Sequence, residues 1–262
     1  MNQDISADRI LKGKGVSSGI AIGKVYLLER GRIQVSKHSV KEEQVDREIA
    51  KFLQAMKKAV EELNRIKQSI PDDEVRQHAF IIDAHILMLQ DEFFRREVVE
   101  TIKRQRINAE WALDIVVFKY LSSFEKVEDP YLRERGQDLN HIYQRLLRIM
   151  VGKQVSSAIT RAIRGKAIIV AHDLSPADTI QLNLHRTSGF VTDVGGRTSH
   201  TSIVARALEI PAVVGLGNIT GLVKNSDKLI IDGDEGTVII NPSEDVEREY
   251  RAKQVRLNAE RR

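Results

Sequence analysis

One short segment of the sequence combines the residue types that phosphoryl transfer requires. Residues 195–201 read GGRTSHT, so His200 follows two glycines, an arginine and two hydroxyl side chains, and a third hydroxyl follows it. A neutral imidazole offers a nitrogen lone pair for attack, and its ordinary pKa of about 6.5 leaves it mostly neutral at neutral pH. Because phosphoryl transfer depends mainly on positioning and on donors around three equatorial oxygens, this segment could carry phosphate on His200.

The flanking residues predict a strand, a glycine turn and a helix around His200. An apolar run, GFVTDV at 189–194, comes before the glycines, and apolar residues recur at helical spacing after His200 until Pro211. Gly195 and Gly196 can adopt positive φ and let another group approach the backbone closely. The first turn of the helix would present unpaired N–H groups and a partial positive charge to a bound anion.

Two alternatives explain the same residues without phosphoryl transfer. A lone histidine near a helix start is usually a cap, a surface residue or a satisfied polar group. A glycine-rich turn before a helix also occurs in dinucleotide sites, but the GxGxxG spacing is absent from residues 195–201. The glycine pair, the arginine and the hydroxyls leave the structural and the catalytic interpretation of His200 both open.

The middle of the chain has the apolar spacing of helices. Residues from Ser39 to Pro71 carry a sustained apolar stripe, and Ser39 with Glu42 predicts a capping box at its start. Further helices are predicted at 72–90, from residue 91, at 108–124 and at 132–150. Few glycines or prolines interrupt this region, so a compact helical bundle is the economical interpretation.

The two ends of the chain have the pattern of strands. Residues 10–29 carry four glycines and alternate towards β-branched residues, which predicts strands joined by tight turns. Later strands are predicted at 166–171, 189–194, 211–216, 228–233 and 236–241, with GDEG at 233–236 as a hairpin turn. Ser175, Pro176 and Asp178 signal a helix start between them. One α/β domain interrupted by an inserted helical domain is the predicted fold.

Length and composition limit the possible functions. The 262 residues are 42% hydrophobic and 30% charged, which is a globular balance. The net charge of +4 is small and basic residues are interleaved with acids, so no nucleic-acid partner is predicted. The chain has no apolar run of about 18 residues and no signal core at its start, which predicts a cytoplasmic protein without membrane contact. The absence of cysteine excludes disulfides and thiolate metal sites.

The segment from Gly195 to Gly215 resembles a known family motif. Its sequence, GGRTSHTSIVARALEIPAVVG, is similar to the phosphohistidine motif of enzyme I of the phosphoenolpyruvate:sugar phosphotransferase system, and more loosely to that of pyruvate phosphate dikinase and phosphoenolpyruvate synthase. Three further stretches favour enzyme I: KGKGVSSGIAIGKVYLL at 12–28, YLRERGQDL at 131–139 and DLSPADTIQLNL at 173–184. The resemblance covers nearly the whole chain in the order of the family.

The resemblance implies a domain organisation. It places an α/β phosphohistidine (swivelling) subdomain at 1–32 and 152–241, interrupted at 33–151 by an all-α helical-bundle subdomain that binds the histidine phosphocarrier HPr. Residues 242–262 are expected to form a connector helix whose weak apolar face has no partner in this chain. In the family a following barrel binds phosphoenolpyruvate and magnesium and forms the dimer. The chain is expected to be a monomeric N-terminal half without a cofactor of its own.

The resemblance also assigns roles to residues of the α/β subdomain. His200 is the implied catalytic residue, with the phosphate on the ε nitrogen of its ring. The implied phosphate environment consists of Gly196, Arg197, Thr198, Ser199 and Thr179. The Thr179 hydroxyl is implied to hold the other ring nitrogen of His200, although a threonine in a helix interior explains Thr179 equally well.

In the helical subdomain the resemblance implies contacts with the cleft and with HPr. Arg135 and Asp138 match charged family residues at the cleft between the subdomains, and an i,i+3 surface pair on a helix is the alternative. The implied contacts with HPr are Ile82, His85, Ile86 and Leu89. Core packing is the competing explanation for these four. Arg76 and Gln77 stand where family members often carry acids, which leaves the charge matching to HPr open.

The remaining histidines show no spacing typical of a metal site. His78 and His85 are seven residues apart, about 10.5 Å along a helix axis, and no HExxH pattern occurs. We therefore predict no metal in this chain, and magnesium only with phosphoenolpyruvate in the domain beyond it.

Two functional classes remain. In the first, a phosphotransferase moves phosphate reversibly between His200 and a histidine of HPr, and phosphoenolpyruvate is the original donor in the full-length enzyme. Variants of this class are a nitrogen-regulatory enzyme I paralogue and a swivelling domain of a dikinase or synthase; the long helical insert and Thr201 argue against the latter. In the second, the chain is a binding module with a structural histidine. The sequence decides neither the sugar or nitrogen branch nor the orientation of the subdomains.

Overall fold

The chain divides into two compact units, and each is described by itself. The computed structural model describes residues 9–28, 33–69, 80–125, 130–152, 166–181, 186–196 and 200–260. The described residues between 33 and 152 form a helical unit, and those at 9–28 and 166–260 form an α/β unit. The predicted fold class, an α/β domain with a helical subdomain, is confirmed.

The described part of the helical unit contains five helices. They are α1 (Glu42–Gln68), α2 (Phe80–Leu89), α3 (Glu92–Gln105), α4 (Ala109–Glu125) and α5 (Pro130–Met150). The predicted helix start near residue 91 is confirmed, because the Asp91 carboxylate accepts a hydrogen bond of 2.7 Å from the Phe94 N–H. Apolar residues three or four positions apart face inward, so Phe52, Leu113 and Leu146 are fully buried. Within the described segments no helix is long and apolar enough to cross a membrane.

The start of α1 differs from the predicted capping box. Ser39 lies before the helix and forms an isolated β-bridge with Ile107, so it does not cap α1. The helix begins at Glu42, and the Gln44 side chain accepts a hydrogen bond of 3.0 Å from the Lys41 N–H. Pairing with Ile107 keeps Ser39 extended, and the helix starts only where that pairing has ended.

The α/β unit is built on one mixed sheet. Its strands are β1 (Arg9–Lys12), β2 (Lys14–Ser17), β3 (Ile20–Leu28), β4 (Ala167–Ala171), β5 (Thr187–Thr192), β6 (Ala212–Val214), β7 (Lys228–Asp232) and β8 (Thr237–Ile240). Their order is β1-β8-β7-β3-β4-β5-β6-β2. The four strands from β3 to β6 pair in parallel, and the other pairings are antiparallel. The predicted β7–β8 hairpin is present, with its turn at residues 233–236.

The two outer strands of this sheet come from one continuous run of residues. Only Gly13 separates β1, which pairs with β8, from β2, which pairs with β6. The sheet therefore curls until its two edges meet along residues 9–17. A side chain at Gly15 would lie 2.1 Å from the carbonyl oxygen of Gly233, so glycine is required where β2 passes the β7–β8 turn.

Apolar layers on both faces of the sheet hold the α/β unit together. One buried cluster takes residues from six strands, among them Val25, Ile168 and Val238, and fills one face of the curled sheet. On the other face, Ile169 and Phe190 pack with Leu174, which precedes α6 (Pro176–Ile180), and with Ala205 of α7 (His200–Ala207). These two short helices follow β4 and β5 and begin at the end of the sheet where the candidate site lies.

The last helix, α8 (Glu244–Glu260), packs against the same sheet. Its Val246, Tyr250 and Leu257 contact Ile20, Ile230 and Ile239. Its Lys253 ammonium lies 2.7 Å from the buried Asp232 carboxylate. The expectation of an apolar face without a partner is therefore wrong, because this face packs on β7 and β8, which directly precede α8, and on Ile20 of the distant strand β3.

Candidate functional site

The predicted strand, glycine turn and helix around His200 are present. Strand β5 ends at Thr192, and α7 begins at His200. Gly195 adopts φ +123°, and a side chain there would also lie 3.2 Å from Cβ of Val214. Gly196 does not have positive φ, and beyond its chain neighbours no described residue lies within 4 Å of the position its Cβ would take. The turn therefore requires glycine at Gly195, whereas the close approach of another group to Gly196 stays a prediction.

The first turn of α7 is fixed by two buried hydroxyl groups. Ser202 Oγ donates a hydrogen bond of 2.6 Å to the carbonyl oxygen of Gly196. Thr201 Oγ1 donates one of 3.2 Å to the carbonyl oxygen of Leu174, which precedes α6. The backbone of His200 is therefore held against both the glycine turn and the α6 segment.

Helix α6 presents Thr179 in a rigid local structure. The Asp178 carboxylate accepts hydrogen bonds from the Ser175 hydroxyl at 2.6 Å and from the Ser175 N–H at 3.0 Å. This reciprocal capping fixes the start of the helix, as the Ser-Pro-Ala-Asp signal predicts. Thr179 is fully buried, and its hydroxyl donates a hydrogen bond of 3.0 Å to the Ser175 carbonyl oxygen. The hydroxyl oxygen keeps acceptor capacity for a second group.

Asp193 is a site residue that the sequence analysis missed. It lies between the end of β5 and Gly195, and its carboxylate is buried. One oxygen accepts a hydrogen bond of 3.1 Å from the Thr220 N–H, and the other lies 2.5 Å from the Thr220 hydroxyl and 3.0 Å from Nδ1 of His172. Asp193 thus ties the residues before the glycine turn to the segment after β6. The sequence feature that could have identified Asp193 is an acidic residue between a buried strand and a glycine pair.

Several predicted site groups lie outside the described residues. These are Arg197, Thr198 and Ser199, together with the side chains of His200 and Arg135. Their roles in the phosphate environment and at the cleft stay predictions. The backbone of His200 is described as the first residue of α7.

The partner contacts predicted on α2 stay predictions, and the structure describes where the four residues lie. The four predicted residues are all buried: Ile82, His85, Ile86 and Leu89. They pack inside the helical unit, which agrees with the core-packing alternative. Leu87 is 68% exposed and lies on the opposite side of α2. The sequence of α2 is apolar on most sides, so it only weakly distinguishes the inward face from the outward one.

An apolar groove opens on the helical unit beside Leu87. Its volume is about 410 Å³. The lining residues are Leu87, Met88, Asp91, Phe94, Tyr120, Phe124, Leu139 and Ile142. The Tyr120 hydroxyl donates a hydrogen bond of 2.7 Å to Glu97, which together with burial raises the pKa of Tyr120 to about 12. We call this surface the α2–α5 groove.

Asp138 contacts His85 within the helical unit. The Oδ1 atom of Asp138 lies 3.2 Å from Nε2 of His85. Burial lowers the pKa of His85, and the hydrogen bond and charge of Asp138 only partly oppose this shift. His141, one helical turn beyond Asp138 on α5, lies close by, with 6.3 Å between the two imidazole centroids. The prediction of no metal considered spacing along single helices and missed this meeting of three potential ligands from two helices.

Two family models match the chain. The model described as "PEP-utilising enzyme, N-terminal" matches residues 12–135, and the model described as "PEP-utilising enzyme, mobile domain" matches residues 163–236. The first match covers much of the helical unit and the second much of the α/β unit.

Curated relatives are similar to almost the whole chain. It is 41% identical over 254 residues to a phosphoenolpyruvate-protein phosphotransferase of Geobacillus stearothermophilus, covering 97% of the chain and 43% of that protein. It is 39% identical over 243 residues to the protein of the same name from Bacillus subtilis, covering 93% of the chain and 42% of the relative. The chain therefore spans less than half the length of these relatives.

Two solved structures are similar over most of their length. The NMR solution structure of Enzyme I (nEIt) is 37% identical with a TM-score of 0.74, covering 95% of this chain and 99% of that one. The N-terminal domain of Enzyme 1 - Nitrogen is 27% identical with a TM-score of 0.58, covering 93% and 98% respectively.

Proposed function

The chain belongs to the enzyme I family of phosphoenolpyruvate-protein phosphotransferases, and from this premise we propose that it carries a phosphoryl group on His200. The group is exchanged with a histidine of the phosphocarrier HPr. The Nε2 lone pair of His200 attacks phosphorus, a new N–P bond forms, and the N–P bond of the carrier breaks as its imidazole takes back the electron pair. The step consumes no further reactant and runs in both directions.

The observation that carries this proposal is the position of His200 at the first residue of α7, directly after the glycine turn. Unpaired N–H groups and the helix dipole favour an anion there by about 0.3–1 kcal/mol. The hydroxyls of Thr201 and Ser202 hold this turn in place, so little reorganisation accompanies transfer. Arg197, Thr198 and Ser199 are the proposed donors around the phosphoryl oxygens.

Thr179 is the proposed partner of the second ring nitrogen of His200. Its hydroxyl hydrogen is committed to the Ser175 carbonyl, so its oxygen can only accept a further hydrogen bond. A bond from Nδ1–H of His200 would fix the tautomer whose Nε2 lone pair is available for attack. The buried position of Thr179 on a capped helix suits this role.

The α2–α5 groove is the proposed docking surface for HPr. Exposed apolar groups are unfavourable in water, and Leu87 places such a group beside a recess that a partner side chain can fill, with the half-buried Met88 in its lining. Helix α5, which contributes Leu139 and Ile142 to the groove, also carries Arg135 and Asp138. The groove replaces the four buried residues of α2 as the proposed contact.

Phosphoenolpyruvate is the proposed original donor in the complete protein. The relatives named phosphoenolpyruvate-protein phosphotransferase are more than twice as long as the matched region. In this proposal phosphoenolpyruvate and magnesium bind in the part of those relatives that the chain does not span. The full protein is the proposed dimer, and the present chain a monomer.

A phosphorylation assay tests the proposal. Purified chain mixed with phosphorylated HPr is expected to gain one acid-labile phosphate, and His200→Ala is expected to gain none. His38→Ala, which removes an exposed histidine of the helical unit, is the matched control and is expected to accept phosphate normally. Phosphorus NMR of the product then distinguishes the ε from the δ nitrogen.

Two outcomes contradict the proposal. Failure to accept phosphate from any histidine phosphocarrier indicates a structural histidine in a binding module. Strong labelling from phosphoenolpyruvate and magnesium alone places the donor site within this chain.

A nitrogen-regulatory paralogue is the second candidate, because the nitrogen-type domain aligns over 93% of the chain. Competition between sugar-type and nitrogen-type phosphocarriers for one phosphorylated chain separates these branches.

A further inference from the structure

We propose that His85, Asp138 and His141 form a binding site for a divalent transition-metal ion of the zinc type. The site lies in the helical unit, apart from the candidate phosphohistidine, and it does not rest on the proposed phosphotransfer. One potential ligand atom from each residue lies within 4.8 Å of the other two.

Two helices bring the ligands together. Asp138 and His141 lie three residues apart on α5, a spacing that places both side chains on one helix face. His85 comes from α2. A carboxylate and a histidine at i,i+3, completed by a ligand from a facing helix, is a recurrent way to build a metal site between packed helices.

The distances suit a tetrahedral ion after small side-chain movements. Zinc–nitrogen and zinc–oxygen bonds of about 2.0–2.2 Å separate neighbouring ligand atoms by about 3.3 Å. Nε2 of His85 and Oδ1 of Asp138 are already 3.2 Å apart. The remaining ligand separations, at most 4.8 Å, need to shorten by no more than about 1.5 Å, which side-chain rotation can supply.

The donor set selects the class of ion. Two imidazole nitrogens and one carboxylate oxygen favour zinc, iron(II), cobalt(II) or nickel(II) over magnesium and calcium, which prefer oxygen ligands. Three protein ligands leave a fourth tetrahedral position for water or another group. Asp138 supplies negative charge to the site.

The positive charge of Arg145, which lies near the proposed site, is offset by a carboxylate of the same unit. Arg145 lies near His85 and is buried, and its Nη1 is 3.1 Å from Oε2 of Glu62. The Glu62 carboxylate offsets the guanidinium charge, so Arg145 does not impose an unbalanced positive charge on the ion. A bound ion would link α2 to α5, the helices that supply Leu87 and Leu139 to the α2–α5 groove.

Zinc binding to the whole 262-residue chain tests the proposal. The chain is prepared without a histidine tag, stripped with a chelator and titrated with zinc by calorimetry. We expect one ion per chain, a higher unfolding temperature with zinc, and visible absorption of the cobalt(II) form typical of tetrahedral coordination. His141→Gln and Asp138→Asn are each expected to weaken zinc binding at least about tenfold.

The control variant is His38→Gln, which removes an exposed histidine of the same unit and is expected to bind zinc like the unmodified chain. Circular dichroism establishes that each variant is folded. Absence of stoichiometric binding to the unmodified chain overturns the proposal. So does unchanged affinity in folded His141→Gln. The phosphorylation assay on metal-stripped chain reports the proposed function separately.

Discussion

The hydroxyl of Ser202 donates a hydrogen bond of 2.6 Å to the carbonyl oxygen of Gly196, and His200 lies between these two residues in the chain. This bond ties the first turn of α7 back to the glycine turn. Thr201 attaches the same turn to Leu174, on the segment that leads into α6. The backbone position of His200 therefore depends on two hydrogen bonds, one to the glycine turn before it and one to the segment that leads into α6.

The conformation of Gly195 predicts a local loss of stability on substitution. Gly195→Ala places a Cβ atom at φ +123° and 3.2 Å from Cβ of Val214. We expect a loss of about 1–3 kcal/mol in the free energy of unfolding, measured with urea. Gly196→Ala is the matched control, because Gly196 does not have positive φ and, beyond its chain neighbours, no atom of the described residues lies within 4 Å of its Cβ position. Equal losses in the two variants would contradict this account of the turn.

Asp193 is expected to act as a positioning residue. Asp193→Ala leaves the Thr220 N–H without its carboxylate partner and should cost about 1–3 kcal/mol in unfolding free energy. His172→Ala should cost less than about 1 kcal/mol, because the His172 side chain is 65% exposed. Urea unfolding measures both changes. Slower phosphate acceptance by folded Asp193→Ala is the second expected result, and an unchanged rate would limit Asp193 to a role in stability.

The Thr179 hydroxyl is expected to affect phosphate transfer. Thr179→Val keeps the shape of this fully buried side chain but removes the hydrogen bond proposed to orient His200. We expect the rate of transfer from phosphorylated HPr to fall on the order of tenfold, which corresponds to one hydrogen bond of roughly 1.4 kcal/mol. Thr179→Ser keeps the hydroxyl and should recover most of the rate. Equal rates in the Val and Ser variants would remove Thr179 from the site.

The α2–α5 groove predicts a binding variant with an intact fold. Leu87 is 68% exposed, so Leu87→Asp should change the free energy of unfolding little while it weakens HPr binding at least about tenfold. Val255→Asp makes the same kind of change at a residue of α8 that is 69% exposed, and is expected to leave binding unchanged. Calorimetric titration with HPr compares the variants. Wild-type affinity in Leu87→Asp would place the docking surface elsewhere.

The lowered pKa of Glu97 predicts that the helical unit loses part of its free energy of unfolding in acid. The Lys119 ammonium and the Tyr120 hydroxyl hydrogen-bond its carboxylate and hold the pKa of Glu97 below its ordinary value, although burial opposes them. At a pH between the folded and the unfolded pKa of Glu97, the unfolded chain therefore binds more protons than the folded chain. This contribution to stability is therefore present above the unfolded pKa and is lost as the pH falls through the lowered folded pKa.

Urea unfolding at neutral and acidic pH measures the Glu97 contribution. Glu97→Gln should be less stable than the unmodified chain at neutral pH, and the difference between them should shrink in acid. Glu61→Gln, at an exposed position of α1, is the control for a carboxylate without these contacts. A pH-independent difference for Glu97→Gln would contradict this account.

The sequence determined the local elements and the chemistry that they carry. The order of helices and strands, the β7–β8 hairpin and the strand–turn–helix around His200 follow from apolar periodicity, glycines and capping residues. These signals are local, because backbone conformation responds first to neighbouring residues. The resemblance carried by GGRTSHT indicated the family on the same local evidence.

Only the tertiary structure decided which distant residues meet. It closed the sheet along residues 9–17, placed α8 on that sheet, and turned Ile82 and His85 inward while Leu87 faces solvent. It also brought His85 to Asp138, which is 53 positions away in the chain. Such contacts depend on how whole faces of helices and strands pack together. The apolar periodicity of one segment shows which of its own faces is buried, but it does not specify which other segment covers that face.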